Sequence, residues 1–281
     1  MKLRTRIIRW FAIATLTPVL FLLSCQSSMI YHPRAHDASD LGRLSSLQGR
    51  RLEFETASGS QTAYFIPAQQ PTPEGPIWIV FSGNATTALD WTRIAPRWDA
   101  RFAYLLVDYP GYGECSGSPT PTTIAESASG AFIRLAGHLE TDSDDLRRRC
   151  FVLGQSLGCA AALQTAATQR LRGAVLISPF TTMTEMARGV VGWPLCLLNR
   201  HRYDNRRHLR ELVEQGGVVT IFHGDADDLI PISMSRELAA IDPKAVRLVP
   251  VAGAGHNDIL GPAFQAIGEA MTAQSIVSES P

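Results

Sequence analysis

A chain of 281 residues, 45% of them apolar, can bury one substantial core, which bounds it to one α/β domain or two small ones. Charge is balanced at 26 basic against 26 acidic residues, and nothing in it suggests a nucleic-acid partner. Histidine and cysteine spacings make no zinc site, and no Gly-rich turn carries the Lys-Ser/Thr of a phosphate loop, so no metal or organic cofactor is implied.

The chain opens on Lys2, Arg4, Arg6 and Arg9 without an acid, followed by WFAIATLTPVLFLL from Trp10 to Leu23. That run is shorter than the roughly 20 residues of a membrane span and contains Pro18, so residues 1–24 read as a signal peptide. Leu22-Leu23-Ser24-Cys25 resembles the bacterial lipobox. The resemblance implies cleavage before Cys25, lipidation of its thiol, and a membrane hold through acyl chains rather than a spanning helix. Gln26 in place of Asp is similar to the outer-membrane sorting rule of enterobacterial lipoproteins. The expected place is therefore the bacterial envelope, on the outer membrane facing the periplasm. Losing residues 1–24 removes four basic and no acidic residues, which leaves a mildly acidic mature chain. Cys115, Cys150, Cys159 and Cys196 remain, and outside the cytoplasm they can pair. Connectivity is not legible from sequence. Cys159 reads as a small core residue, whereas Cys115 and Cys196 fall in loops near the expected site, and one pairing would join them.

Residues 25–48 are polar and mixed and read as a lipidated tether, residues 49–275 as the domain, and 276–281 as a tail. RRLEFET and SQTAYFI alternate about Ser58-Gly59, a hairpin signal. Continuous apolar runs of strand length follow: PIWIVFS, FAYLLVD, CFVLGQ, AVLISP, VVTIFHG and AVRLVPV. Helix-period segments at Ala88–Trp98, Thr122–His138, Leu157–Thr168, Ser233–Ile241 and Pro262–Ala273 alternate with them. Apolar strands alternating with amphipathic helices predict a mostly parallel sheet, helices on both faces, entered by an antiparallel hairpin. In such sheets reactive residues gather at the carboxyl ends of strands.

Five polar residues fall there. Ser156 sits in Gly154-Gln155-Ser156-Leu157-Gly158, after one strand and before a helix, the layout of a nucleophile elbow. Asp225, Asp227 and Asp228 follow VVTIFHG, and His256 follows the last strand. The pattern His223-Gly224-x-x-Asp227-x-x-x-Pro231 resembles the acid loop of the α/β-hydrolase superfamily, as does the order Ser156, Asp227, His256. Ser82-Gly83-Asn84-Ala85 is similar to that family's His-Gly-Asn-Ala loop, with Ser82 in place of the histidine. VDYPGYGECSGSP is similar to another family segment, with Pro110 in place of an arginine. The resemblance spans about residues 51–273 and is closest to monoacylglycerol lipase-like and membrane-associated depalmitoylase-like serine hydrolases.

That resemblance implies Ser156 as nucleophile, His256 as base and Asp227 as acid, with Asp225 second choice. It also implies an oxyanion site from the backbone N–H groups of Leu157 and Asn84. The expected reaction is hydrolysis of a small-molecule or lipid-like ester (palmitate among the acyl groups the subgroup suggests). A thioesterase, a peptidase, or a non-catalytic binding protein on this fold are the alternatives. A lid is expected over residues 180–216. In it Met183, Met186, Val190, Val191, Trp193, Leu195, Leu197 and Leu198 either line an acyl pocket or pack the lid down. Arg200, Arg202, Arg206, Arg207 and Arg210 read as a solvated basic face with Asp204 as a partner, contact with anionic headgroups being the alternative.

Overall fold

The computed structural model describes Trp10, Thr17 and residues 19–277. The remainder of the predicted signal peptide, and the last four residues of the tail, lie outside the described residues. Eight strands form one sheet: β1 (Arg50–Thr56), β2 (Gly59–Ile66), β3 (Ile77–Phe81), β4 (Ala103–Val107), β5 (Cys150–Gln155), β6 (Gly173–Ile177), β7 (Val218–Gly224) and β8 (Val246–Val251). Their order is β1-β2-β4-β3-β5-β6-β7-β8. β1 pairs antiparallel with β2 and β2 with β4, and every later pairing is parallel. This is an α/β-hydrolase fold.

The helices are α1 (19–30), α2 (Ala38–Ser46), α3 (Pro121–His138), α4 (Ser143–Arg149), α5 (Leu157–Gln169), α6 (Met183–Val191), α7 (Asn205–Glu214), α8 (Ile232–Ala239) and α9 (Leu260–Val277). Ala88–Trp98, expected as one helix, is instead two 3-10 pieces, Ala88–Arg93 and Ala95–Arg97. Pro96 lacks the N–H that a continuous helix would need. No described helix is long and apolar enough to cross a membrane.

The central strands are apolar throughout because both faces are covered. Ile77, Ile79 and Phe81 of β3 and Val152 of β5 join a core under α3, α5 and α7. Trp78, Val80, Phe151 and Leu153 point the other way, into a core closed by α2 and α9. Trp78 and Phe151 stack there at 5.1 Å.

Residues 25–48 do not hang free as a tether would. α1 runs through Ser24-Cys25 without a break, and Tyr31, Asp40 and Leu44 are buried. Asp40 is held by Arg43 and Arg93 at 3.1 and 2.9 Å. His36 enters the body, its Nε2 2.9 Å from Asp108 Oδ2 and 2.8 Å from the Tyr64 hydroxyl. Gly113 makes room for it, since a Cβ there would lie 2.2 Å from Asp108 Oδ2 and 2.4 Å from His36 Nε2. The polar composition that suggested a tether is used in buried ion pairs and hydrogen bonds.

The Cys115–Cys196 pairing is likewise not made, and all five cysteines are free. Cys115 packs behind β2, where its Sγ accepts the Thr62 N–H at 3.3 Å and burial pushes its thiol up to about 12. The basic run divides. Arg206 pairs with Glu185 and Glu237, and Arg207 faces Glu211. Asp204 pairs with none of these side chains and instead caps α7, its carboxylate accepting the Arg207 backbone N–H.

Candidate active site

Ser156 stands between β5 and α5 with φ 53° and ψ −118°, a conformation few L-residues adopt. It is held by its own N–H, which donates to Ile177 O of the neighbouring strand at 2.8 Å. The flanking glycines answer a close approach of main chain. A Cβ on Gly158 would lie 2.2 Å from Phe81 O, and one on Gly154 2.5 Å from Gly158 O. The turn is thus wedged against the end of β3, and it turns the Ser156 side chain to the rim of the sheet.

His256, in the loop after β8, has Nε2 3.0 Å from Ser156 Oγ and Nδ1 2.7 Å from Asp227 Oδ2. The serine, imidazole and carboxylate form one continuous hydrogen-bonded chain. Of the three loop aspartates only Asp227 takes part. Asp225 accepts the Gly253 N–H at 2.7 Å and braces the next loop, while Asp228 is exposed. The Asp227 side chain is buried, and burial alone pushes its carboxyl up. N–H donation from Ile230 and the contact with His256 outweigh this and hold it below the usual carboxylate range. A second imidazole stands behind it: His223 Nε2 lies 3.3 Å from Asp227 Oδ2 and donates to Ile230 O at 2.8 Å. Its Nδ1 accepts the Ser235 hydroxyl at 2.6 Å, and burial lowers the pKa of the ring.

Asn84 and Leu157 both border the space in front of Ser156. No acceptor among the described residues takes up either backbone N–H. The Asn84 side chain is engaged elsewhere. Its Nδ2 donates to Ile30 O at 2.7 Å, and its Oδ1 accepts from Ala85 N, His32 N and the Tyr112 hydroxyl. Ser82, the departure at the head of this loop, is buried. Its hydroxyl donates to Thr87 O, and its carbonyl accepts the Tyr109 hydroxyl at 2.6 Å. Tyr109 and Tyr112 of the VDYPGYG segment therefore brace the loop from beneath. Sequence patterns located Asn84 but not its side-chain bonds, because His32 and Ile30 are brought to it by tertiary folding.

In front of Ser156 lies an apolar cavity of about 260 Å³. Phe180, Met183, Met186, Val191, Leu195 and Leu198 form one wall. Trp193 and Leu197, expected among the lining, face outward instead. The opposite wall is α1, through Leu22, Gln26, Met29 and Ile30. Gln26 sutures the two walls, its Nε2 donating to Leu198 O at 2.8 Å and its Oε1 accepting Arg200 N–H at 2.7 Å. Tyr31 adds a hydrogen bond between its hydroxyl and that of Tyr203 at 3.0 Å, with His201 Nδ1 3.2 Å away. Among the described residues no three His, Cys, Asp or Glu side chains group as metal ligands.

Known proteins share both sequence and fold with this chain. The alpha/beta hydrolase family model matches residues 79–214. The uncharacterized protein Rv2307c of Mycobacterium tuberculosis is 30% identical over 241 residues, 85% of this chain and 83% of that protein. The chain belongs to the alpha/beta hydrolase family. Alpha/beta hydrolase domain-containing protein 17B of Homo sapiens is 26% identical over 152 residues, 54% of this chain and 49% of that protein. An alpha-beta hydrolase from Vibrio vulnificus superposes with a TM-score of 0.67 at 16% identity, over 92% of each chain. A Pyrococcus furiosus esterase superposes with a TM-score of 0.64 at 14% identity, over 89% of this chain and 98% of that one. Hydrolases and esterases are thus its structural neighbours.

Proposed function

We propose that this family member is a serine hydrolase that cleaves carboxylic esters through an acyl-enzyme. The observation that carries the reading is the unbroken hydrogen-bonded chain from Ser156 through His256 to Asp227, opening onto an apolar cavity. His256 Nε2 takes the Ser156 proton as Oγ attacks the ester carbonyl, and Asp227 holds the tautomer and stabilises the imidazolium. The N–H groups of Leu157 and Asn84 donate to the alkoxide that develops. His256 then protonates the leaving alcohol. Water, deprotonated by the same imidazole, attacks the acyl-enzyme and releases the carboxylic acid. An apolar cavity with few polar groups suits an acyl chain better than a peptide, which carries a donor and an acceptor at each residue.

Ser156→Ala should abolish labelling by a fluorophosphonate probe and lower turnover of a soluble ester at least roughly 10⁴-fold, with an unchanged melting profile. A folded wild-type chain that neither labels nor turns over would sink the reading in favour of a binding protein. The lipobox resemblance supports, as a second part of the proposal, an envelope enzyme anchored through Cys25. Cys25→Ala should move it to the soluble fraction on ultracentrifugation, and retention in the pellet would argue for another anchor.

A further inference from the structure

The mouth of the Ser156 cavity is ringed by apolar side chains that cover nothing. Met29 of α1, Val190 at the end of α6, Trp193 and Leu197 beyond it, and Leu229 of the acid loop are all exposed, Val190 and Trp193 at 74% and 73%. Met29, Val190 and Leu229 also line the cavity, so its wall continues outward into the collar. Three segments distant in sequence converge to build it, and most of the large apolar side chains exposed among the described residues belong to it or adjoin it. A contiguous apolar patch of this kind marks an interaction surface.

Charge selects the occupant. Arg188, Arg200 and Arg202 flank the collar, are exposed, and meet no carboxylate among the described residues. Glu185, the acid in the same wall, is already neutralised by Arg206. Apolar groups ringed by unpaired cations match a bilayer, where acyl chains take up the former and anionic headgroups the latter.

We infer that this collar docks on a membrane surface, so that the acyl chain of a membrane-resident ester slides from the lipid phase between α1 and α6 to Ser156. The inference rests on the ester-hydrolase reading and narrows its substrate class to esters embedded in a bilayer. Docking through the collar is distinct from any anchor on Cys25, because it sets the orientation of the mouth.

The full chain is reconstituted in phosphatidylcholine–phosphatidylglycerol vesicles with brominated acyl chains, and tryptophan fluorescence is read. Fractional quenching should fall in Trp193→Phe, because Trp193 lies among the lipid chains. In the double variant W193S/L197S, whose side chains lie outside the cavity, turnover of a long-chain ester embedded in the vesicles should fall about tenfold. Turnover of a soluble short-chain ester should stay within about twofold. Equal quenching in wild type and Trp193→Phe overturns the inference, as does an equal loss on both esters, which would make the collar a packing surface. A dimer by light scattering that W193S/L197S dissolves also overturns it, since a second copy would then be the occupant. If the wild type fails on the soluble ester as well, the hydrolase reading falls, and the quenching still decides whether the collar meets lipid.

Discussion

Asn84 separates what a backbone supplies from what a side chain supplies. Asn84 borders the space before Ser156, and the backbone N–H proposed there as a donor is one that any residue except proline would provide. Its carboxamide uses both ends on the scaffold, tying the C-terminal carbonyl of α1 and the His32 N–H to the loop that follows β3. Asn84→Ala therefore keeps the donor and loosens its position. Turnover should fall roughly 10- to 100-fold with little change in KM, as expected when a catalytic donor is misplaced by a fraction of an ångström to an ångström. Asn84→Asp, which keeps the acceptor and loses the donor to Ile30, should fall between the two. Steady-state kinetics on a soluble ester checks both, and an Asn84→Ala enzyme as fast as wild type would remove the loop from the mechanism.

At the scale of elements, the wedge of α5 against β3 couples the site to the core. Gly158 lets the first turn of α5 touch the carbonyls of Phe81 and Ser82, so the central strands fix the rim on which Ser156 stands. Phe151 of β5, stacked on Trp78, anchors the same strand from the opposite face. Phe151→Ala removes a fully buried ring and leaves a cavity, and it should cost about 3–5 kcal/mol of stability in urea unfolding. A loss under about 1 kcal/mol would mean that the α9 face repacks freely. The short α4 escaped the sequence reading because SDDLRRR has almost no apolar periodicity. Its start is set by Asp142, which accepts from Asp144 N and Asp145 N.

For the molecule as a whole, the N-terminal segment acts as a clasp. His36 lies between β2, β4 and the loop after β3, facing Asp108, Glu114, Asp40, Tyr64 and Thr87. Burial opposes its protonation, but the Asp108 carboxylate outweighs this and raises its pKa above the ordinary 6.5. A histidine raised in the folded state stabilises it fully below the unfolded value, and that contribution is lost as pH rises through the folded value. The melting temperature of wild type minus that of His36→Gln should thus be largest near pH 6 and shrink at higher pH. A difference that grows between pH 6 and pH 9 would refute the ion pair.

Much was legible along the chain because strands buried on both faces read as unbroken apolar runs, and the residues that end them are few. Ser156, the aspartates that follow β7 and His256 stand out by position, since a sheet of this topology brings its strand ends to one rim. Only tertiary structure decided which aspartate meets His256, because Asp225 and Asp227 differ by two residues in one loop and by which carboxylate the Ile230 and Leu229 N–H groups hold. It also decided that the supposed tether is a wall of the cavity and that Trp193 faces out. The placing of polar residues such as His36, Asp40 and Asn84 depends on distant partners, Asp108, Arg93 and Ile30 among them, and local composition carries no trace of them.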